Sequence, residues 1–112
     1  MSEFEPGMVV CTIGVQQMIG EDPILAEVFE GFLQRHLRGD WGDLGDEDKA
    51  MNDESLRMER EGKPADRLFS CYEYNGGRIY IITEWDRSAT TLLLPEEYRN
   101  HQAPGEPGAI LR

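Results

Sequence analysis

The stretch LFSCYEYNGGRIYIITEW, residues 68–85, decides the fold because it has the pattern of a β-hairpin. Both halves are rich in aromatic and β-branched side chains, which favour strands. The Asn-Gly-Gly sequence at 75–77 supplies the positive φ angles that a tight hairpin turn requires. Residues 78–84 are apolar at successive positions, which is typical of a central strand with both faces covered.

Further strands extend this hairpin on both sides. DRSA, residues 86–89, predicts a second turn, and TTLLLP, residues 90–95, predicts a third strand closed by proline. The meander therefore covers 68–94. Near the N-terminus, MVVCTIGV is rich in β-branched residues and predicts a strand over 8–13. We expect these segments to form a three- to four-stranded antiparallel sheet.

Two helices are predicted between the first strand and the hairpin. EDPILAEVFEGFLQRHLRG predicts an amphipathic helix over 23–37, capped by Asp22 and stopped by Gly39. A second helix is predicted over 46–61. Its apolar positions are sparse, and they are Ala50, Met51, Leu56 and Met58. The fold class is therefore α+β, with the first helix on one face of the sheet and the second helix peripheral.

Length and charge restrict the organisation and the partners. The 112 residues predict one domain over 1–100, followed by a Pro- and Gly-rich tail, 101–112, that we expect to be flexible. The net charge of -11 disfavours direct nucleic-acid binding and favours basic protein surfaces or cations. No apolar run is long enough to cross a bilayer and no secretory signal is visible, so we expect a cytoplasmic protein without membrane contact.

The two cysteines, Cys11 and Cys71, both lie in apolar segments with strand-like composition. Because we expect a reducing compartment, we predict that both are reduced core residues. A disulfide between them stays open as an alternative. Neither cysteine belongs to a Cys-x-x-Cys pair, so the sequence lacks the spacing of a zinc ribbon or a thioredoxin-type redox site.

Three segments carry a resemblance to a known group of proteins. They are GDWGDL, TEWDRSATT and LLLPEEY, within a similar stretch covering residues 7–98. They resemble a family of small bacterial hypothetical proteins of plasmids, phages and integrative elements, labelled "plasmid-related protein" or "type I restriction endonuclease subunit M". A fainter likeness connects the layout to a domain of unknown function. The resemblance implies a mobile-genetic-element setting. It does not imply methylation, because the chain lacks a glycine-rich cofactor loop and an Asn-Pro-Pro-Tyr motif.

The stretch HLRGDWGDLGDEDKAMND, residues 36–53, concentrates the side chains that can carry a function. We favour a partner-binding surface made of Asp40, Trp41, Asp43, Asp46, Glu47 and Asp48. Its carboxylates meet no basic residue before Lys49, which favours a protein partner with a basic surface. Trp41, which is followed by a glycine, has two interpretations. It is either a buried plug that pins the loop or an exposed interface anchor.

A metal site is the alternative interpretation of the same region. It would support a small metal-dependent hydrolase or nuclease through His36, Asp40, Asp43 and Asp86. The loop does not have EF-hand spacing, because its third and fifth positions hold glycine and leucine. Simpler roles are also available. Asp46 can cap the second helix, His36 can complement the dipole of the first helix, and Asp86 can cap its own turn. No cofactor and no catalytic residue is indicated.

The sequence therefore favours a non-enzymatic, acidic accessory protein of a mobile genetic element. Its sharpest form is an inhibitor of a nucleic-acid-handling host defence complex, because such complexes have basic grooves that attract acidic surfaces. A regulatory dimer that pairs through an exposed sheet edge is a further hypothesis. The oligomeric state is left open.

Overall fold

The structure is a computed structural model, and it describes residues 2–100. Within that range one sheet has the strand order β1-β4-β3-β2. Its strands are β1 (Met8–Cys11), β2 (Leu68–Tyr74), β3 (Gly77–Thr83) and β4 (Ala89–Leu93). The helices are α1 (Ile13–Glu21), α2 (Leu25–Leu37), α3 (Asp46–Arg60) and a C-terminal 3-10 helix (Pro95–Asn100). The predicted tail 101–112 lies outside the described residues.

The hairpin and the meander are confirmed. β2 and β3 pair antiparallel from Leu68↔Thr83 to Tyr74↔Gly77. Asn75 and Gly76 form the turn between them with φ angles of 43° and 78°, in the left-handed region that the Asn-Gly sequence favours. β4 then pairs antiparallel with β3, and the α+β class is correct.

The prediction of an entirely antiparallel sheet is wrong. β1 pairs with β4 in parallel, from Met8↔Ala89 to Cys11↔Leu92. A parallel pair needs a long crossover connection, and here the connection includes all three α-helices and the hairpin. The predicted strand 8–13 also ends early, because the Thr12 side chain accepts a hydrogen bond from Val15 N–H at 3.4 Å and caps α1. Helix α1 was not predicted from the sequence.

The other two helices agree with the prediction to within one or two residues, but the predicted N-terminal cap is wrong. Asp22 instead follows α1, where its N–H donates to the carbonyl oxygen of Met18 at 3.0 Å. The N-cap position of α2 is Ile24, which makes no side-chain capping bond. Gly39 follows α2 with a φ of 82°, as expected for a residue that ends a helix.

The core lies between α2 and one face of the sheet. Phe29 and Phe32 of α2 contact the rings of Tyr74 and Tyr72, and the Phe32–Tyr72 pair stacks at 4.9 Å. The side chains of this face that are almost fully buried are Leu68, Tyr72, Ile79, Ile81 and Leu92. α3 lies along β2, the edge strand, which matches its predicted peripheral position. Within residues 2–100, no helix has the length and apolar character needed to cross a membrane.

Both cysteines are free thiols, and Cys71 is buried as predicted, whereas Cys11 is only partly buried. Cys11 is on β1 and Cys71 is on β2, which are the two outer strands of the sheet. β3 and β4 therefore lie between the two thiols, and a disulfide would require the sheet to open. Burial raises the pKa of each thiol above its ordinary value.

Candidate partner-binding surface

The loop between α2 and α3, residues 38–45, lies along the outer edge of β2. Gly42 forms an isolated parallel bridge with Cys71. Cys71 N–H donates to the carbonyl oxygen of Trp41 at 3.2 Å, and Asp43 N–H donates to the carbonyl oxygen of Cys71 at 2.7 Å. The Asp43 carboxylate also accepts from Glu73 N–H at 3.0 Å. An uncovered strand edge is a template for pairing with another chain, so this part of the loop protects the edge.

Two side chains of α3 extend this protection of the β2 edge. The Asn52 amide donates to the carbonyl oxygen of Phe69 at 2.7 Å and accepts from Phe69 N–H at 3.2 Å, as a neighbouring peptide group would. Ser55 makes the same pair of bonds to the backbone of Asp66, at 2.7 and 3.0 Å. These bonds fix α3 beside β2 although its apolar face is thin.

Trp41 is buried, with 3% of its surface exposed. Its ring packs against Phe4 and against His36, and its Nε1–H donates to Asp53 at 2.9 Å. The structure therefore matches the interpretation of Trp41 as a plug that pins the loop. Trp85, by contrast, is 55% exposed.

Two of the predicted partner-binding carboxylates are engaged within the fold. Asp40 accepts from the Arg35 guanidinium at 2.8 Å, and this hydrogen bond lowers the pKa of Asp40 and raises that of Arg35. Both side chains are more than a third exposed, so the pair contributes little to stability. Asp43 holds the β2 edge through Glu73. These two aspartates position the loop.

The other three carboxylates form the first turn of α3. Asp46, Glu47 and Asp48 are exposed, and within residues 2–100 they have no hydrogen-bond or ion-pair partner. The N-terminal end of the helix dipole favours negative charge at these positions. The N-cap position is Gly45, so the predicted capping role of Asp46 is wrong. We call Asp46, Glu47 and Asp48 the acidic turn.

His36 belongs to a buried chain of hydroxyl groups. The Thr90 hydroxyl donates to the carbonyl oxygen of Pro6 at 2.7 Å, so the Thr83 hydroxyl donates to Thr90. Thr83 must then accept from His36 Nε2–H at 2.9 Å. His36 Nδ1 is left as the acceptor for the Ser70 hydroxyl at 2.6 Å. Both ring nitrogens are thus occupied by the sheet.

The predicted role of His36 as a cation at the end of α2 is wrong. Burial, together with the positive charge of Arg87, lowers the pKa of His36 to about 3, so its ring is neutral at pH 7. Asp86 accepts from Ser88 N–H at 3.0 Å and caps its own turn, as predicted. Within residues 2–100 no group of three or more His, Cys, Asp or Glu side chains could hold a metal. The structure does not bring together His36, Asp40, Asp43 and Asp86.

An open groove of about 900 Å³ lies between α3 and the sheet face opposite α2. The apolar part of its lining includes Met51, Met58, Phe69, Tyr80 and Tyr98. The three aromatic rings contact one another with centroids 4.9–5.7 Å apart. The acidic turn borders this groove, because Asp48 is part of its lining.

The groove was not predicted from the sequence. Met51 and Met58 are seven residues apart and thus on one side of a helix, but they were interpreted only as sparse apolar positions of a peripheral helix. The sequence did contain one signal for an uncovered apolar surface, because the sheet had more apolar surface than the predicted helices could cover. β3 is apolar on both faces, whereas only one strongly amphipathic helix was predicted to cover the sheet.

Comparisons with protein-family models, with curated proteins and with solved structures found no match to this chain. The implied relation to proteins of plasmids and phages stays a prediction. The assignment of a function to this surface therefore rests on its geometry and charge.

Proposed function

We propose that this chain is a non-enzymatic binding protein whose acidic turn binds a basic surface on a protein partner. One observation carries the proposal: three consecutive exposed carboxylates have no partner among the described residues, and one of them, Asp48, lines an open apolar groove. Protein interfaces are commonly organised as an apolar centre with a polar rim. The groove and the acidic turn provide both parts side by side.

The surrounding charges support a basic partner. Lys49 is the only basic residue between 40 and 54. The next cation along α3 is Arg57. It forms ion pairs with Glu54 and with Glu61, the latter at 2.6 Å. Little positive charge is therefore available to neutralise the acidic turn. Together with a net charge of -11, this arrangement speeds association with a basic protein and opposes direct binding to nucleic acid.

The setting we propose is the cytoplasm of a bacterium that carries a mobile genetic element. The partner is a host defence complex that handles nucleic acid, and the acidic turn competes with nucleic acid for its basic groove. The acidic composition and the resemblance of residues 7–98 to proteins of plasmids and phages support this form of the proposal.

The test is affinity capture of a partner from bacterial lysate by the tagged full chain. We expect one stoichiometric partner that is retained at low salt and released at about 0.5 M salt, where surface charges are screened. The amide substitutions Asp46→Asn, Glu47→Gln and Asp48→Asn remove the charge of the acidic turn with little change in shape. They should weaken binding of the purified partner by about tenfold or more.

A matched control removes three other exposed carboxylates, through Glu5→Gln, Glu21→Gln and Glu27→Gln. It changes the net charge by the same amount but leaves the acidic turn intact, so it should retain the partner. Equal loss in both variants would show that only the overall charge matters. Unchanged binding in the acidic-turn variant would refute the proposed site.

A further inference from the structure

We infer that the partner inserts a short peptide segment into the groove, and that this segment carries at least two apolar side chains flanked by Lys or Arg. The inference rests on the proposed function, because it names what part of a protein partner enters the surface beside the acidic turn. The groove recognises the apolar side chains of the segment, and the carboxylates on the rim orient it.

The floor of the groove is formed before any partner binds. Phe69 and Tyr80 project from the sheet face that α2 does not cover, and Tyr98 of the 3-10 helix contacts both rings. The mutual edge-on packing fixes the rings, so few rotamers are lost on binding. On the wall, Met51 is 65% exposed, and a flexible thioether side chain adapts to different apolar partners.

The charged side chains on the rim of the groove determine which charge its occupant should carry. Asp48 and Asp66 are exposed carboxylates in the lining of the groove without an ion-pair partner among the described residues, and Glu54 is a third that pairs with Arg57. The one cation in the lining, Arg67, donates to the Tyr98 hydroxyl at 2.6 Å and lies over the ring of Tyr98. The positive charge of Arg67 therefore lies against the Tyr98 ring on the floor of the groove. An apolar centre with an acidic rim is complementary to apolar side chains flanked by Lys or Arg.

The same charges argue against a second copy of this chain as the occupant. Two copies that met through the groove would bring two acidic rims together, and each chain carries a net charge of -11. Like charges brought together in this way oppose association. The volume of about 900 Å³ accommodates the side chains of a short segment but is small for a folded domain.

The experiment begins with a displayed library of random 12-residue peptides selected against the immobilised full chain. We expect the enriched sequences to share two or more apolar positions with Lys or Arg on at least one side. The most enriched peptide is then synthesised with a fluorescein label, and its Kd for the full chain is measured by anisotropy at low salt.

Two variants locate the binding site. Met51→Gln with Met58→Gln makes the groove wall polar, and should weaken peptide binding by about tenfold or more. The control, Ile13→Gln with Ile24→Gln, makes the same kind of change at side chains that are 72% and 62% exposed and are not part of the groove lining. It should change the Kd by less than about twofold. All four positions are exposed or half-buried, so both variants are expected to fold, and circular dichroism checks this.

Several results would overturn the inference. They are a selection without enrichment, enriched peptides that lack basic residues, or a Kd that the groove variant does not change. Light scattering that shows a dimer disrupted by the groove variant would make a second copy the occupant instead. The proposed function is tested separately, because a partner captured through the acidic turn but insensitive to the groove variant would refute only the peptide segment.

Discussion

The two faces of the sheet are completed in different ways. The face toward α2 is closed: Tyr72, Ile79 and Ile81 have essentially no exposed surface. On the opposite face, Phe69 and Tyr80 are only half-buried and form the floor of a groove. The second face also has a buried part, because Ile82 and Leu93 have no exposed surface, but its two half-buried rings keep apolar surface accessible beside the acidic turn. Substitutions on the first face should therefore change stability, and those at the groove should change binding.

The largest expected effect is at the closed face. Ile81→Ala removes a side chain with no exposed surface from between the sheet and α2. Because the cavity cannot fully collapse, the free energy of unfolding should fall by about 2–5 kcal/mol. Urea denaturation followed by circular dichroism measures it. A loss below about 1 kcal/mol would mean that this face is less tightly packed than the structure indicates.

The next effect is the pH dependence that buried His36 produces. Its pKa is lowered from 6.5 to about 3 in the folded chain, so below pH 6.5 the unfolded chain binds the proton and the folded chain does not. The contribution of neutral His36 to the free energy of unfolding is therefore fully present above pH 6.5. As the pH falls toward 3, the free energy of unfolding decreases by up to about 1.4 kcal/mol for each pH unit.

Urea denaturation at several pH values between 6.5 and 4.5 tests this dependence. Carboxylates begin to protonate toward pH 4.5, so the part of the slope between pH 6.5 and 5.5 reports mainly on the histidine. The His36→Gln variant should be less stable at pH 6.5 and should have a much smaller slope. An unchanged slope in that variant would show that another group is responsible.

An intermediate effect is expected at Gly42, where the loop covers the β2 edge between the two faces. Its φ is 76°, and a Cβ built there would lie 2.1 Å from the carbonyl oxygen of Cys71. Gly42→Ala should lower the free energy of unfolding by about 1–3 kcal/mol. Gly31→Ala, in the open middle of α2, is the control and should raise it by about 0.5–1 kcal/mol. Equal changes in the free energy of unfolding for the two variants would contradict the role of Gly42 in covering the β2 edge.

The smallest effect on stability is expected in the groove. Met51→Gln with Met58→Gln changes side chains on the open wall, so the free energy of unfolding should change by only about 0.5 kcal/mol. Thermal and urea unfolding both measure this quantity. A loss comparable to that of Ile81→Ala would mean that the groove belongs to the core, and it would remove the distinction between the two faces.

The sequence predicted the elements that have strong local patterns. The 75–77 turn, the alternation in the hairpin and the apolar face of α2 depend on neighbouring residues, so periodicity was sufficient. The direction of β1 was missed because its partner β4 lies about 80 residues away, and the long connection determines the direction. Helix α1 was missed although Thr12 is a good capping residue, since Ile13–Glu21 has a weak apolar pattern.

The candidate site was predicted only in part. The acidic turn was visible as a run of carboxylates without nearby cations. The sequence did not show that Asp40 and Asp43 hold the loop, because their partners, Arg35 on α2 and Glu73 on β2, are identified only by the path that the loop takes in the fold. The groove depends on which part of a sheet face the helices leave uncovered. That is a property of the tertiary arrangement.

The most direct test of the central claim is an amide NMR titration of the full chain with the enriched basic–apolar peptide. The account predicts that chemical-shift changes concentrate on the acidic turn, α3 and the residues of β2 and β3 around Phe69 and Tyr80, while α1 and the exposed side of α2 stay unchanged. Changes concentrated on α1 and α2, or spread evenly over the chain, would contradict the assignment of the open face to partner binding.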